Sequence, residues 1–150
     1  MSEHAAIGGF DLDQAPDAAA LEDEGIFVHI RDHEGNLMYY REVGGDEDLP
    51  VGMTVAGEYS SRYKRVREAI VTRTLKRRGA PLSGQLVGAQ ATEQVVGCIL
   101  SWQGWARGGQ LLQLTPDNAH WLLKKLPYVQ PQLETAMGDH AAFFEKHSRS

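Results

Sequence analysis

Near Glu58 the hydrophobic period of this chain changes from two to about 3.6. Upstream, Ile26, Val28 and Ile30 alternate with Phe27, His29 and Arg31, the pattern of a half-buried strand. Asp32-His33-Glu34-Gly35-Asn36 supplies turn chemistry, Leu37 to Glu42 reads as a returning strand, and Met53-Thr54-Val55-Ala56 reads as a third. Downstream, Tyr59 to Arg78 contains neither glycine nor proline, and Tyr59, Tyr63, Val66 and Ile70 recur at helical spacings of three and four. The expected class is α+β: a small antiparallel sheet of about three strands in the N-terminal third, followed by about four helices.

Gly79-Ala80-Pro81 breaks the first of these helices. A second, starting between Ser83 and Thr92, is expected to carry Val95, Ile99 and Trp102, and the glycine-rich stretch Gly104 to Gly109 reads as a loop. Thr115-Pro116-Asp117-Asn118 is a helix start: the threonine side chain can accept from an orphaned N–H, proline suits the first turn, and the acid complements the dipole. That helix is expected to run to about Leu126, where Pro127 stops it, and a last helix to span about Val129 to Lys146. Residues 1–24, rich in Ala and Asp, hold too few large apolar groups to offset chain entropy and read as a flexible acidic arm. Residues 25–58 form the sheet segment, and residues 59–147 form a helical segment packed on it as one domain.

A chain of 150 residues with 42% hydrophobic and 23% charged residues can build one ordinary core. Its net charge of −5 hides an asymmetry. Residues 1–60 hold fourteen Asp or Glu against Arg31 and Arg41, whereas residues 61–80 hold eight Lys or Arg against Glu68. Two electrostatic faces, or two segments lying against each other, would follow. No apolar run reaches the roughly 20 residues a membrane span needs. The N-terminus lacks a secretory layout, and the lone Cys98 allows no intrachain disulfide, so cytoplasm is the expected location.

Phosphate-loop, nucleophile-elbow, zinc-helix and dinucleotide-binding motifs do not occur. No enzymatic activity, cofactor or metal is expected. His29 and His33 flank a surface turn, and His140 and His147 stand two turns apart on one helix, so neither pair converges on an ion. Cys98, between Gly97 and Ile99 with no adjacent histidine, reads as core. Arg62, Arg65, Arg73 and Lys76 fall within a wedge of about 80° at 100° per residue. That wedge suits an acidic protein partner or a solvated face; nucleic acid is the competing reading, opposed by the chain's overall acidity. Trp105, Trp121, Tyr128 and Phe143 lie at loop or off-stripe positions and are candidates for a partner surface, because aromatics bury large area with a polar tip.

The run from Val95 to Phe144 also resembles the C-terminal pattern of the tail assembly chaperones of long-tailed bacteriophages. The resemblance is carried by Val95-Val96, Trp102-x-Gly104, Leu111 to Leu114, Thr115-Pro116-Asp117-Asn118-Ala119, Leu122-Leu123, Leu126-Pro127-Tyr128-Val129, Gln132-Leu133 and Ala141-Ala142-Phe143-Phe144. Upstream, Gly25-Ile26-Phe27-Val28 and Thr54-Val55-Ala56-Gly57 extend it. Tyr128 stands where the family often has tryptophan, and Asp117 replaces the commoner glutamate; both keep the local physics. The resemblance implies a protein that binds the tape-measure protein in the host cytoplasm, promotes polymerisation of tail-tube subunits around it, and is not retained in the virion. Two alternatives stand beside it: a small nucleic-acid-binding regulator using the basic helix 61–78, and a minor structural tail subunit. Self-association is left open.

Overall fold

The computed structural model describes residues 8–77 and 83–148, the last two without their side chains. The first seven residues of the arm, the break at Gly79-Ala80-Pro81, Arg78 and the His147 side chain lie outside that description. Within it, the fold is α+β with six α-helices and short antiparallel strands. The helices are α1 (Ala18–Glu24), α2 (Ser61–Lys76), α3 (Gly84–Cys98), α4 (Pro116–Lys125), α5 (Val129–Met137) and α6 (His140–Ser148). The strands are β1 (Ile26–His29), β2 (Tyr39–Tyr40), β3 (Leu49–Pro50), β4 (Gly52–Val55), β5 (Ile99–Gln103), β6 (Ala106–Arg107) and β7 (Gln110–Leu111).

The principal sheet has the order β1-β4-β5, with Ile26 opposite Val55 on one side and Met53 opposite Trp102 on the other. Its central strand is apolar because both edges are paired and Met53 and Val55 are wholly buried. Leu37 to Glu42 does not return along β1 as expected. Arg31 bridges Leu37, Met38 donates to Ile30, and only Tyr39–Tyr40 forms a strand, paired with Leu49–Pro50 in a separate ribbon. The turn between is local chemistry as read: Asp32 Oδ1 accepts from the N–H groups of Glu34 (2.9 Å) and Asn36 (3.0 Å).

Three further differences have physical causes. The helix expected to carry Val95, Ile99 and Trp102 stops at Cys98, and the chain runs straight into β5. Spacings of four and three fit a helix, but the free edge of β4 is satisfied only by an extended partner. The long last helix is two, because Gly138 leaves the helix and Asp139 Oδ1 accepts from Ala142 N–H (3.3 Å) at the start of the next. The acidic arm is not flexible throughout: Asp17 caps α1, and Leu21 and Glu22 are buried.

The core lies between the sheet and α3, α4 and α5, built from residues such as Ile30, Met53, Val95, Leu122, Val129 and Leu133. Cys98 belongs to it, fully buried, and desolvation pushes its thiol above the ordinary value. No helix among the described residues is long and apolar enough to cross a membrane.

Candidate partner-binding site

Helices α2 and α3 form a hairpin whose start is fixed by several oxygen atoms. Ser60 Oγ accepts from Tyr63 N–H (3.0 Å) and donates to the Gly57 carbonyl (2.6 Å). Asp23 accepts from the N–H groups of Ser61 (3.3 Å) and Arg62 (3.1 Å) and from the Ser61 hydroxyl. Burial by itself would raise the Asp23 carboxyl. The bonds from Ser61 and Arg62, with the nearby Arg65 charge, outweigh it and bring the group below its ordinary value.

Across the hairpin, Arg62 Nε donates to the Gly97 carbonyl (2.7 Å), Gln94 Nε2 to the Tyr63 carbonyl (3.0 Å) and Gln90 Nε2 to Thr74 Oγ1 (2.6 Å). Numbers rise along α2 as they fall along α3, so the helices run antiparallel. They meet closely at Gly97, where a Cβ would sit 2.6 Å from Val66 Cγ2. A side chain there would push the helices apart.

One face of this hairpin is open. A cleft of about 390 Å³ has Tyr63, Ile70, Val71, Ala91, Val95 and Met137 among its walls and Glu58, Arg67, Gln90 and Glu134 at its polar positions. Val71 is 47% exposed, and Leu75, one turn on, is 76% exposed. On α3, Val87 is 55% exposed one turn before Ala91. Apolar residues thus face water on both helices beside a ready-made depression, on helices otherwise rich in charge and amide. The opposite flank of the hairpin, against the start of α4, carries a second cleft of about 490 Å³ that includes Val66, Val96, Leu100 and Leu114, with Arg62, Glu93 and His120 beside them.

The residues singled out from sequence do not make one groove. Phe143 is 2% exposed and interior, whereas Trp105, 7% exposed, is buried along the wall of a small cleft. Phe143 went inward because the break at Gly138 turns α6 back onto β1 and α1. Trp121 is half-buried and shares a cleft with Trp105, with the Arg107 guanidinium 4.1 Å above its ring. Tyr128 is half-buried against the core, and its carbonyl accepts from Gln132 Nε2 (2.9 Å). The basic wedge divides too: Arg62 is engaged by Gly97 and Arg73 by Glu93, while Arg65 and Lys76 are exposed. Wedge angles describe one helix and contain nothing about the helix packed beside it.

A polar node lies under α6. Glu22 has no exposed surface, and its carboxylate accepts from Tyr59 N–H (2.9 Å) and from His140 Nδ1 (2.6 Å). His140 stacks on the Tyr59 ring (centroids 3.8 Å apart, planes 8° off parallel), and its Nε2 stands 3.6 Å from Glu58. A Cβ on Gly57 would lie 2.0 Å from Glu22 Oε1, so only glycine fits there. The imidazole thus sits between two carboxylates and is held by the buried one. The two nitrogens point to different acids, and no cluster able to hold a metal occurs among the described residues. Nothing in the sequence marks Glu22 and His140 as partners, since 118 residues separate them.

No protein-family model, characterised protein or solved structure matches this chain.

Proposed function

We propose that this chain is a non-enzymatic assembly chaperone of a long-tailed bacteriophage. It holds an apolar helical stretch of the tape-measure protein in solution in the host cytoplasm, promotes tail-tube polymerisation, and is left out of the finished virion. The observation that carries this reading is the open hairpin face, where exposed Val71 lines the 390 Å³ cleft and exposed Leu75 and Val87 lie one helical turn from its wall residues Val71 and Ala91. An amphipathic helix binds such a surface by laying its apolar stripe into the groove, and a tape measure is a long helical protein with such stripes. Glu58, Arg67 and Glu134 beside the cleft supply charges of both signs to set register on a partner helix. The motifs between Val95 and Phe144 support the same family reading.

The nucleic-acid alternative draws less support, because Arg62 and Arg73 each direct a guanidinium N–H to a partner within the hairpin. Co-expression with a fragment of the tape-measure protein tests the proposal: the fragment should become soluble and co-purify. A fragment equally insoluble with and without this chain counts against it. Binding to DNA that weakens steeply with added salt would favour the regulator instead. Persistence of the chain in purified particles would favour the structural subunit.

A further inference from the structure

The hairpin face is not the only surface built to receive something. Between the β5–β6 turn and the end of α4 lies a slot of about 200 Å³ whose walls include Trp105, Leu112, Trp121, Leu122 and Leu126. Among the described residues, it shares no wall residue with the hairpin cleft. Two observations point to what it takes.

The first is an orphan donor. Trp105 is more than nine-tenths buried, and its Nε1 is the one buried side-chain nitrogen or oxygen, among the described residues, with no hydrogen-bond partner. Three residues away the same kind of group is satisfied: Trp102 Nε1 donates to the Leu112 carbonyl at 2.8 Å. Buried indole N–H groups almost always find an acceptor, so a bare one beside a cleft is a vacancy in the hydrogen-bond accounting. The second is the sign of the rim. Lys125 lines the slot, Arg107 lies over the Trp121 ring, and Lys124 is exposed at the end of the same helix. Among the described residues, no acidic side chain lines it.

We propose that this slot binds an acidic peptide segment, seating an apolar side chain against Trp121 and Leu126 while a carboxylate or carbonyl oxygen of the segment accepts from Trp105 Nε1. Lys125 and Arg107 then face the remaining carboxylates. Nε1 has almost no exposed surface in the unbound chain, so binding requires a side chain at the slot to give way, and in the proposed mode that movement falls to the exposed, long side chains of Arg107 and Lys125. The proposal is independent of what the hairpin cleft binds.

Titration of the full chain with acetyl-Asp-Leu-Asp-Glu-amide tests it, following the three indole N–H resonances by NMR. The Trp105 resonance, identified by its loss in Trp105→Phe, should move and saturate. Trp105→Phe keeps an aromatic ring, smaller than the indole, and loses the donor, and Lys125→Glu inverts an exposed charge. Each should weaken binding by about tenfold, the effect of one charge-assisted hydrogen bond or one close ion contact. The neutral analogue acetyl-Asn-Leu-Asn-Gln-amide should bind about tenfold more weakly than the acidic peptide. Circular dichroism confirms that each variant is folded; should Trp105→Phe unfold, Lys125→Glu and the neutral peptide decide the matter alone. A Trp105 resonance that stays still at millimolar peptide overturns the proposal. So does equal binding of the two peptides. A peptide-free dimer that sediments as such and is lost in Lys125→Glu would assign the slot to a second copy of the chain and also overturn it.

Discussion

Glu22 carries its carboxylate into a place that water does not reach, and two bonds keep it there: one from the Tyr59 backbone, one from His140. Such a group is tolerated only while its partners hold, because an unpaired buried charge costs several kcal/mol. His140→Ala should therefore destabilise the protein by about 3 kcal/mol, read from the midpoint of urea unfolding at constant m-value. Asp23 gives a second, pH-dependent test. Its carboxyl lies below the ordinary 3.8, so its stabilising contribution is complete above that value and is lost as pH falls through the lowered native value. Asp23→Asn should be less stable than the parent at pH 7 and should lose less stability between pH 5 and pH 2. At this scale little was legible beforehand. The sequence shows Glu22 only as one acid among many in a charged arm, and its burial depends on a histidine that folding brings from the far end.

Elements with their own local signals were readable, and those defined by a neighbour were not. Helix α4 begins at Thr115, whose side chain accepts from Asn118 N–H at 3.1 Å, as the residues suggest, and α2 fills the stretch after Tyr59 that lacks glycine and proline. Strand β5 has no such signal. Ile99 and Trp102 continue a helical spacing from Val95, and only the unpaired edge of β4 makes them extended. The same dependence on neighbours makes Gly97 decisive, since α2 and α3 approach to within van der Waals contact of its missing side chain. Gly97→Ala should cost about 1–3 kcal/mol by overpacking, despite the better helix propensity of alanine. Equilibrium unfolding checks this, and a gain in stability would mean that Val66 rotates away freely.

For the molecule as a whole, the charge asymmetry seen along the chain is partly internal. Asp23, in the acidic head, caps the basic helix, and Arg65 lies near it. What is left over is the open apolar face between α2 and α3 and, elsewhere, the tryptophan slot with its cationic rim. The partner surface expected from the aromatics alone was too broad. Phe143 joined the interior and Trp105 went into the wall of a cleft, while Val71, Leu75 and Val87, unremarkable as residue types, ended in water. Sequence shows that a residue is apolar; only the packed structure shows that nothing covers it.

Calorimetric titration of an amphipathic helical fragment of the tape-measure protein into the full chain tests the open hairpin face most directly, with the double variant Val71→Asp and Leu75→Asp as comparison. Both positions are exposed, so the variant should fold as the parent does. Binding to the parent should show the negative heat-capacity change of apolar burial, and the variant should bind at least about tenfold more weakly. Equal affinity in parent and variant would contradict the assignment of that face.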